Sequence, residues 1–196
     1  MRRARYRDGM ILLRHGQSEF NAAFTQARRD PGIVDAPLTA LGHAQAEAAA
    51  ERLVAADAPA IARIIASPYL RALQTAAPIA RRLGLTVEIS PLVRERFKFA
   101  CDIGTPASEL ARAWPGHDFS ALEEIWWPAM EESRESITGR AARFRAEIAA
   151  LADWREVLVV AHWGFILALT GESVANGEWR RADPAAPPPE EIIWHP

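Results

Sequence analysis

The chain is poor in several things, and each shortage narrows what it can be. Among 196 residues there is one cysteine, Cys101. A single thiol excludes an internal disulfide framework and a cysteine-built structural zinc site. Long apolar runs are missing too. The N-terminus starts basic, with arginines at 2, 3, 5 and 7 that read as a solvated end, and its apolar run is only Met10 to Leu13. A signal peptide needs roughly 7–15 apolar residues and a membrane span about 20. The expectation is a cytoplasmic protein with no membrane contact. Charge of one sign is also scarce: 25 acids stand against 23 bases, a formal net charge of −2. That argues against a broad electrostatic footprint for nucleic acid, although a small positive pocket is invisible in the sum. No internal repeat and no hydrophilic linker divides the chain, so it reads as one domain over 1–196.

What is present suits a compact α/β protein. At 49% hydrophobic residues, a chain of this size can bury roughly 70% of its unfolded surface. Met10–Leu13 reads as a buried strand. Residues 21–37 read as a polar loop. Residues 38–57 have helical spacing, capped by Thr39, with Leu41, Ala44, Ala48, Leu53 and Val54 as its apolar side. Strands follow at 61–67 and 85–90, with a helix at 69–83 between them that Gly84 ends. From 97 to 137 the periodicity degrades into a cap-like insertion of prolines and aromatics. A helix returns at 138–154, with Ala142, Ile148 and Leu151 as its apolar side. The stretch "EVLVVAH" (156–162) is the clearest buried strand, "GFILALTG" opens another helix, and "IIW" near the end is a candidate edge strand. Strands alternating with helices imply a three-layer sandwich: a mostly parallel sheet with helices on both faces.

In such sheets ligands bind beyond the carboxyl ends of the strands. Arg14-His15-Gly16 stands at the first end, Ser67-Pro68 with Arg71 one turn later at the second, Glu95 after the third, and His162 at the last. Taken singly each has an ordinary explanation: a satisfied core histidine, a surface arginine, a solvated carboxylate, a turn glycine. Together they gather two histidines, two arginines and a carboxylate at one sheet edge. Ser67 reads as a structural turn residue, His43 as solvent-facing, and His117 and His195 carry no site signal. No His-Glu-x-x-His or comparable spacing points to a metal.

The order of motifs resembles the histidine phosphatase superfamily, the phosphoglycerate-mutase-like proteins. "LLRHGQSEFN" is similar to its opening motif, L-x-R-H-G-x-[ST]-x-x-N, and "PLTALGHAQA" to its second block. "ASPYLRALQTA" matches the third, S-P-x-x-R-[AC]-x-Q-T-A. "AHWGFI" stands where the family has its second histidine, usually followed directly by glycine; here Trp163 intervenes. The resemblance spans about residues 10–180.

That resemblance implies a metal-independent phosphatase without cofactor. His15 would be the nucleophile and form a phosphohistidine. Arg14 and Arg71 would fork onto the equatorial oxygens. His162, protonated beside the anion, would add a donor. Gly16 would let the backbone turn and lie close to the phosphate, and Gln17 and Asn21 would line the site. Glu95 would protonate the leaving oxygen and then activate water, with Glu88 and Asp102 as competitors for that role.

The implied partner is a small phosphorylated molecule. Phosphoglycerate-mutase-type transfer is the alternative, but only 67 positions separate Glu95 from His162, fewer than the family's mutases carry. A non-catalytic phosphate-binding scaffold would lack a core residue, and none is lacking. Trp114, Trp126 and Trp127 stand in the cap either as a pocket wall or as ordinary packing. Substrate identity and oligomeric state are not legible.

Overall fold

The computed structural model describes residues 9–55 and 57–194; the arginines at 2, 3, 5 and 7 and His195 lie outside the described residues. Five strands form one sheet: β1 (Met10–Arg14), β2 (Arg63–Ala66), β3 (Val87–Ile89), β4 (Val157–Ala161) and β5 (Trp179–Ala182), in the order β3-β2-β4-β1-β5. The first four run parallel, and β5 joins β1 antiparallel. This is the expected sandwich.

Alternation along β1 decides the layers. Ile11 and Leu13 point into one core with Ile64, Leu158 and Val160. That core is covered by α2 (Ala40–Leu53) and α3 (Leu70–Leu83). Met10 and Leu12 point into the other core with Val157 and Val159, covered by α5 (Arg134–Ala149) and α6 (Trp163–Thr170). All five residues of β4 are fully buried, as a central parallel strand covered on both faces requires. Truncating such a side chain to alanine typically costs about 2–5 kcal/mol.

Several expectations need correction. Residues 21–37 are not all loop, because α1 (Glu19–Ala27) occupies the start. Ser18 caps it: its hydroxyl accepts from the Asn21 amide, while the Asn21 side chain accepts from the Ser18 amide. Of the apolar side expected for α2, only Leu53 is buried. Ala46, Ala49, Ala50 and Leu53 are buried, while Leu41 and Val54 are 53% and 38% exposed and Ala44 and Ala48 face outward. In a helix so rich in alanine, hydrophobicity does not distinguish one face from another. Helix α5 starts a turn early, capped by Ser133, and buries Ile137, Ala141 and Phe144 beside Ile148, while Ala142 is exposed.

The edge strand is not "IIW" but Trp179–Ala182, whose two arginines hid it; Ile192 to Trp194 form no strand. The region expected as a cap holds α4 (Ala107–Ala113) among loops and runs into the first turn of α5. No helix of the described residues is long and apolar enough to cross a membrane.

Candidate active site

Sheet register places the two histidines side by side. Arg14 lies opposite Ala161 in the β1–β4 ladder, so the next residues, His15 and His162, leave neighbouring parallel strands at one level. Their ring centroids are 5.0 Å apart, and the His15 amide donates to Ala161 at 3.1 Å. Strand β2 ends one residue earlier, with Ala66 opposite Val160. Ser67-Pro68-Tyr69 then turns into α3, whose first turn carries Arg71.

Hydrogen bonds fix opposite tautomers in the two rings. His15 Nδ1 lies 2.7 Å from the Gly16 carbonyl. A carbonyl can only accept, so Nδ1 holds the proton and Nε2 keeps a free lone pair. Burial first, then the Arg71 and Arg14 cations, hold the His15 pKa well below the ordinary imidazole value, so the ring is neutral. In His162 it is Nδ1 that accepts, from Arg71 Nε at 3.3 Å. Its Nε2 therefore carries hydrogen and is buried without a partner among the described residues. Burial, then Arg71, depresses this pKa too. As held here the ring is a neutral donor through Nε2; the expected protonated form was one beside a bound anion.

Arg71 is held from every side. Besides His162, its guanidinium donates to the Cys101 carbonyl at 2.7 Å and to Asp102 Oδ1 at 3.1 Å, and it lies 4.3 Å from the Tyr69 ring centroid. Three of five N–H groups are engaged, which leaves one on each terminal nitrogen. Burial works against its charge, but Cys101 and Asp102 keep the net pKa shift upward. Arg14 donates to the Val174 carbonyl at 2.9 Å, and its buried Nε has no partner among the described residues. Burial lowers its pKa to about 10, still charged at neutral pH.

The three carboxylates separate clearly. Glu88 pairs with Arg63 at 2.7 Å on the exposed sheet edge, away from the pocket. Asp102 gives Oδ1 to Arg71 and Oδ2 to the amides of Lys98 and Phe99, so its oxygens anchor the arginine and the loop. Glu95 stands in the pocket wall. Its carboxylate accepts from the Arg96 amide at 2.8 Å and from the Gly164 amide at 3.1 Å, at the start of α6. Burial, then the Asp102 charge, pushes its pKa up, against those amides and Arg71. A Cβ on Gly164 would come within 2.4 Å of Glu95 Oε1.

Gly16 is needed for a different approach than the expected one. It has no positive φ, but a Cβ there would lie 2.3 Å from the Gly42 carbonyl, and one on Gly42 would lie 2.0 Å from that of Gln17. The two glycines let the loop that carries His15 cross the N-terminus of α2. Gln17 is turned aside: its Oε1 accepts from Thr39 at 2.9 Å, and neither it nor Gly16 lines the pocket. Asn21 does line it.

Sequence reasoning missed several supports. Thr75 accepts from the Gly16 amide at 3.1 Å, and Asn176 donates to the His15 carbonyl at 3.0 Å. Buried Glu132 binds Arg94 and Arg140 at 2.8 and 2.7 Å, and Arg140 donates to the Arg94 carbonyl at 2.8 Å, fixing the backbone that presents Glu95. Thr75 stood in the "QTA" motif; Glu132 and Arg140 lay in charged stretches that read as solvated.

His162 is fully buried, and Arg14, His15, Asn21, Arg71 and Glu95 stand in the wall of a cavity of about 360 Å³. Its outer part is aromatic and cationic. Phe20 and Phe24, one turn apart on α1, pack with Phe99 at 5.2–5.3 Å. Opposite in sequence are Trp163, the residue inserted after His162, and Trp194. Trp114, Trp126 and Trp127 are not in the wall; Trp126 packs on Tyr69 at 4.6 Å and donates to Thr105 at 2.9 Å. Among the described residues, no three His, Cys, Asp or Glu side chains are grouped to hold a metal ion.

An α/β sheet with paired histidines and arginines at adjoining strand ends defines a phosphoryl-binding class of protein. The chain belongs to the histidine phosphatase superfamily (branch 1), whose family model matches residues 10–184. It is 35% identical over 169 residues to a glucosyl-3-phosphoglycerate phosphatase of Mycolicibacterium vanbaalenii, covering 82% of this chain and 72% of that one. A Mycobacterium tuberculosis protein of the same name is 32% identical over 170 residues, covering 82% and 73%. The solved structure of mycobacterial glucosyl-3-phosphoglycerate phosphatase with VO3 superposes with a TM-score of 0.62 at 28% identity, over 88% of this chain and 89% of that one. The chain is thus a hydrolase of the histidine phosphatase family.

Proposed function

We propose that the protein hydrolyses a small phosphomonoester through a phosphohistidine on His15, without metal or cofactor. One observation carries the reading: the Nδ1–H bond to Gly16 leaves Nε2 of a neutral, buried imidazole with a free lone pair at the strand ends. Nε2 attacks phosphorus in line, and the phosphoryl charge falls on the remaining N–H groups of Arg71, on Arg14 and on the unpartnered Nε2–H of His162. Glu95, its pKa raised, gives its proton to the leaving oxygen. It then takes one from the water that attacks the phosphohistidine, releasing phosphate and restoring both groups. Hydrolysis rather than mutase-type transfer follows the short chain between Glu95 and His162, and all five core residues are present, which a scaffold would not need.

His15→Ala should abolish turnover of an aryl phosphate in a protein that still folds. Acid-sensitive, base-stable phosphate should map to His15 in wild type quenched during turnover, and chelators should leave the rate intact. Wild-type-like rates in the folded variant, or phosphate on serine, would remove the covalent mechanism.

A further inference from the structure

Glu95 stands where the chain has no regular structure. Residues 94–97 belong to no helix or strand, so their backbone carbonyls need partners from elsewhere. Side chains supply most of them. Arg140, on α5, donates through Nη1 to the Leu92 carbonyl at 2.6 Å and to that of Arg94 at 2.8 Å. Its Nη2 reaches the Glu95 carbonyl at 3.4 Å, as does Nη1 of Arg94. The Phe97 carbonyl accepts from the Glu132 amide at 2.9 Å, and Arg96 Nε donates to the Glu132 carbonyl at 2.8 Å.

One carboxylate holds both Arg94 and Arg140. Glu132 Oε2 accepts from Arg140 at 2.7 Å and from Arg94 at 2.8 Å. Its Oε1 accepts from Arg140 Nε at 3.2 Å and from the Ser136 hydroxyl at 3.1 Å. Burial works against this charge, but Arg140 and Arg94 bring the Glu132 pKa below its ordinary value. The same arginine also meets the element that holds the far end of Glu95. Its guanidinium lies 5.5 Å from the Phe165 ring centroid, and Phe165 follows Gly164, whose amide donates to the Glu95 carboxylate. Three charges buried together are weak support for stability, because well-packed apolar side chains of the same volume often do as well. Planar forks fix distance and direction, and a proton donor needs both.

Resting on the reading of Glu95 as the general acid, we propose that Glu132 and Arg140 are positioning residues for proton transfer. Neither lines the pocket. They act through the backbone of Glu95 and through the start of α6, and so set where the carboxyl group meets the leaving oxygen. The segment that leads into α5 thereby governs how well the enzyme handles esters whose leaving group must be protonated.

The test compares single-turnover rates of the full chain on benzyl phosphate, an alkyl ester that needs the proton, and on 4-nitrophenyl phosphate, whose phenol leaves nearly unaided. Taking the ratio cancels any loss of folded protein. Glu132→Gln and Arg140→Lys should each lower the alkyl-to-aryl ratio by about 10–10²-fold, in the direction of Glu95→Gln. Removing one member of a buried ion network can cost the fold. Arg140→Lys keeps the charge and loses the fork, so it isolates geometry. In Glu95→Gln/Arg140→Lys the ratio should match Glu95→Gln alone, because the network then has no proton to place. An unchanged ratio in Arg140→Lys overturns the inference, since a loss confined to Glu132→Gln is an effect of charge. A further loss in the double variant overturns it too. Either result leaves the phosphatase reading standing, provided that wild type hydrolyses both esters and Glu95→Gln lowers the ratio. If Glu95→Gln leaves the ratio unchanged, the acid lies elsewhere and the inference falls with that assignment. Absence of hydrolysis by wild type removes the phosphatase reading and the inference together.

Discussion

His15 and His162 differ in which nitrogen is protonated, and that difference divides their labour. His15 is held by a carbonyl, which leaves a lone pair facing the pocket; His162 is held by an arginine N–H, which leaves a hydrogen. The third titrating member is Glu95, displaced upward by burial and then by Asp102. A raised pKa means the carboxyl stays protonated to higher pH than an ordinary glutamate, so general-acid assistance persists upward in pH and is lost on the alkaline side of that pKa. An alkyl phosphate depends on this proton, and an aryl phosphate with an acidic phenol scarcely does. The alkyl-to-aryl ratio of single-turnover rates should therefore fall as pH rises through the Glu95 pKa, and taking the ratio cancels the titration of the substrate phosphate. In Glu95→Gln the ratio should be flat with pH and lower by about 10²–10⁴-fold. A ratio that keeps its pH dependence in that variant would assign the acid elsewhere.

Among the elements, the crossing of the loop after β1 over the start of α2 is a tight joint. Gly42 sits where Thr39 caps the helix, its amide donating to the Thr39 hydroxyl at 3.0 Å. Its missing side chain makes room for the Gln17 carbonyl. Gly42→Ala puts a methyl group against backbone that cannot swing aside, and overpacking of this kind typically costs about 1–3 kcal/mol. Urea denaturation should show that loss, together with a fall in kcat, because the displaced strand end carries His15; unchanged stability would mean the loop yields freely.

The same elements show what the sequence disclosed. Strands β1 and β4 were legible because buried parallel strands are apolar throughout, and α3 because its period and Gly84 agree. Helix α1 was hidden because it is short and fully buries only Phe20, though Ser18 and Asn21 held its capping signal. Strand β5 was hidden because an edge strand tolerates arginines. Of the site, the motif residues could be read, but the roles of Tyr69, Glu132, Arg140 and Asn176 depend on contacts between segments distant in sequence.

At the scale of the whole molecule, segments near both ends of the described chain meet at the candidate site. Strand β5 closes the sheet against β1, Val174 receives Arg14, Asn176 donates to His15, and Gly177 donates to the Arg14 carbonyl at 3.1 Å. A chain stopped after Ser173 keeps the motif residues Arg14, His15, Arg71, Glu95 and His162. It should nevertheless lose activity and fold poorly, measured by phosphatase assay and circular dichroism; full activity in that truncation would show the closing segment to be dispensable. The pairing also bears on how the fold comes together. His15 and Asn176 stand 161 positions apart, and closing so long a loop costs chain entropy before the contact returns anything. The contacts that steady His15 are therefore of the slowly formed kind, and refolding should recover helices before it recovers an ordered site.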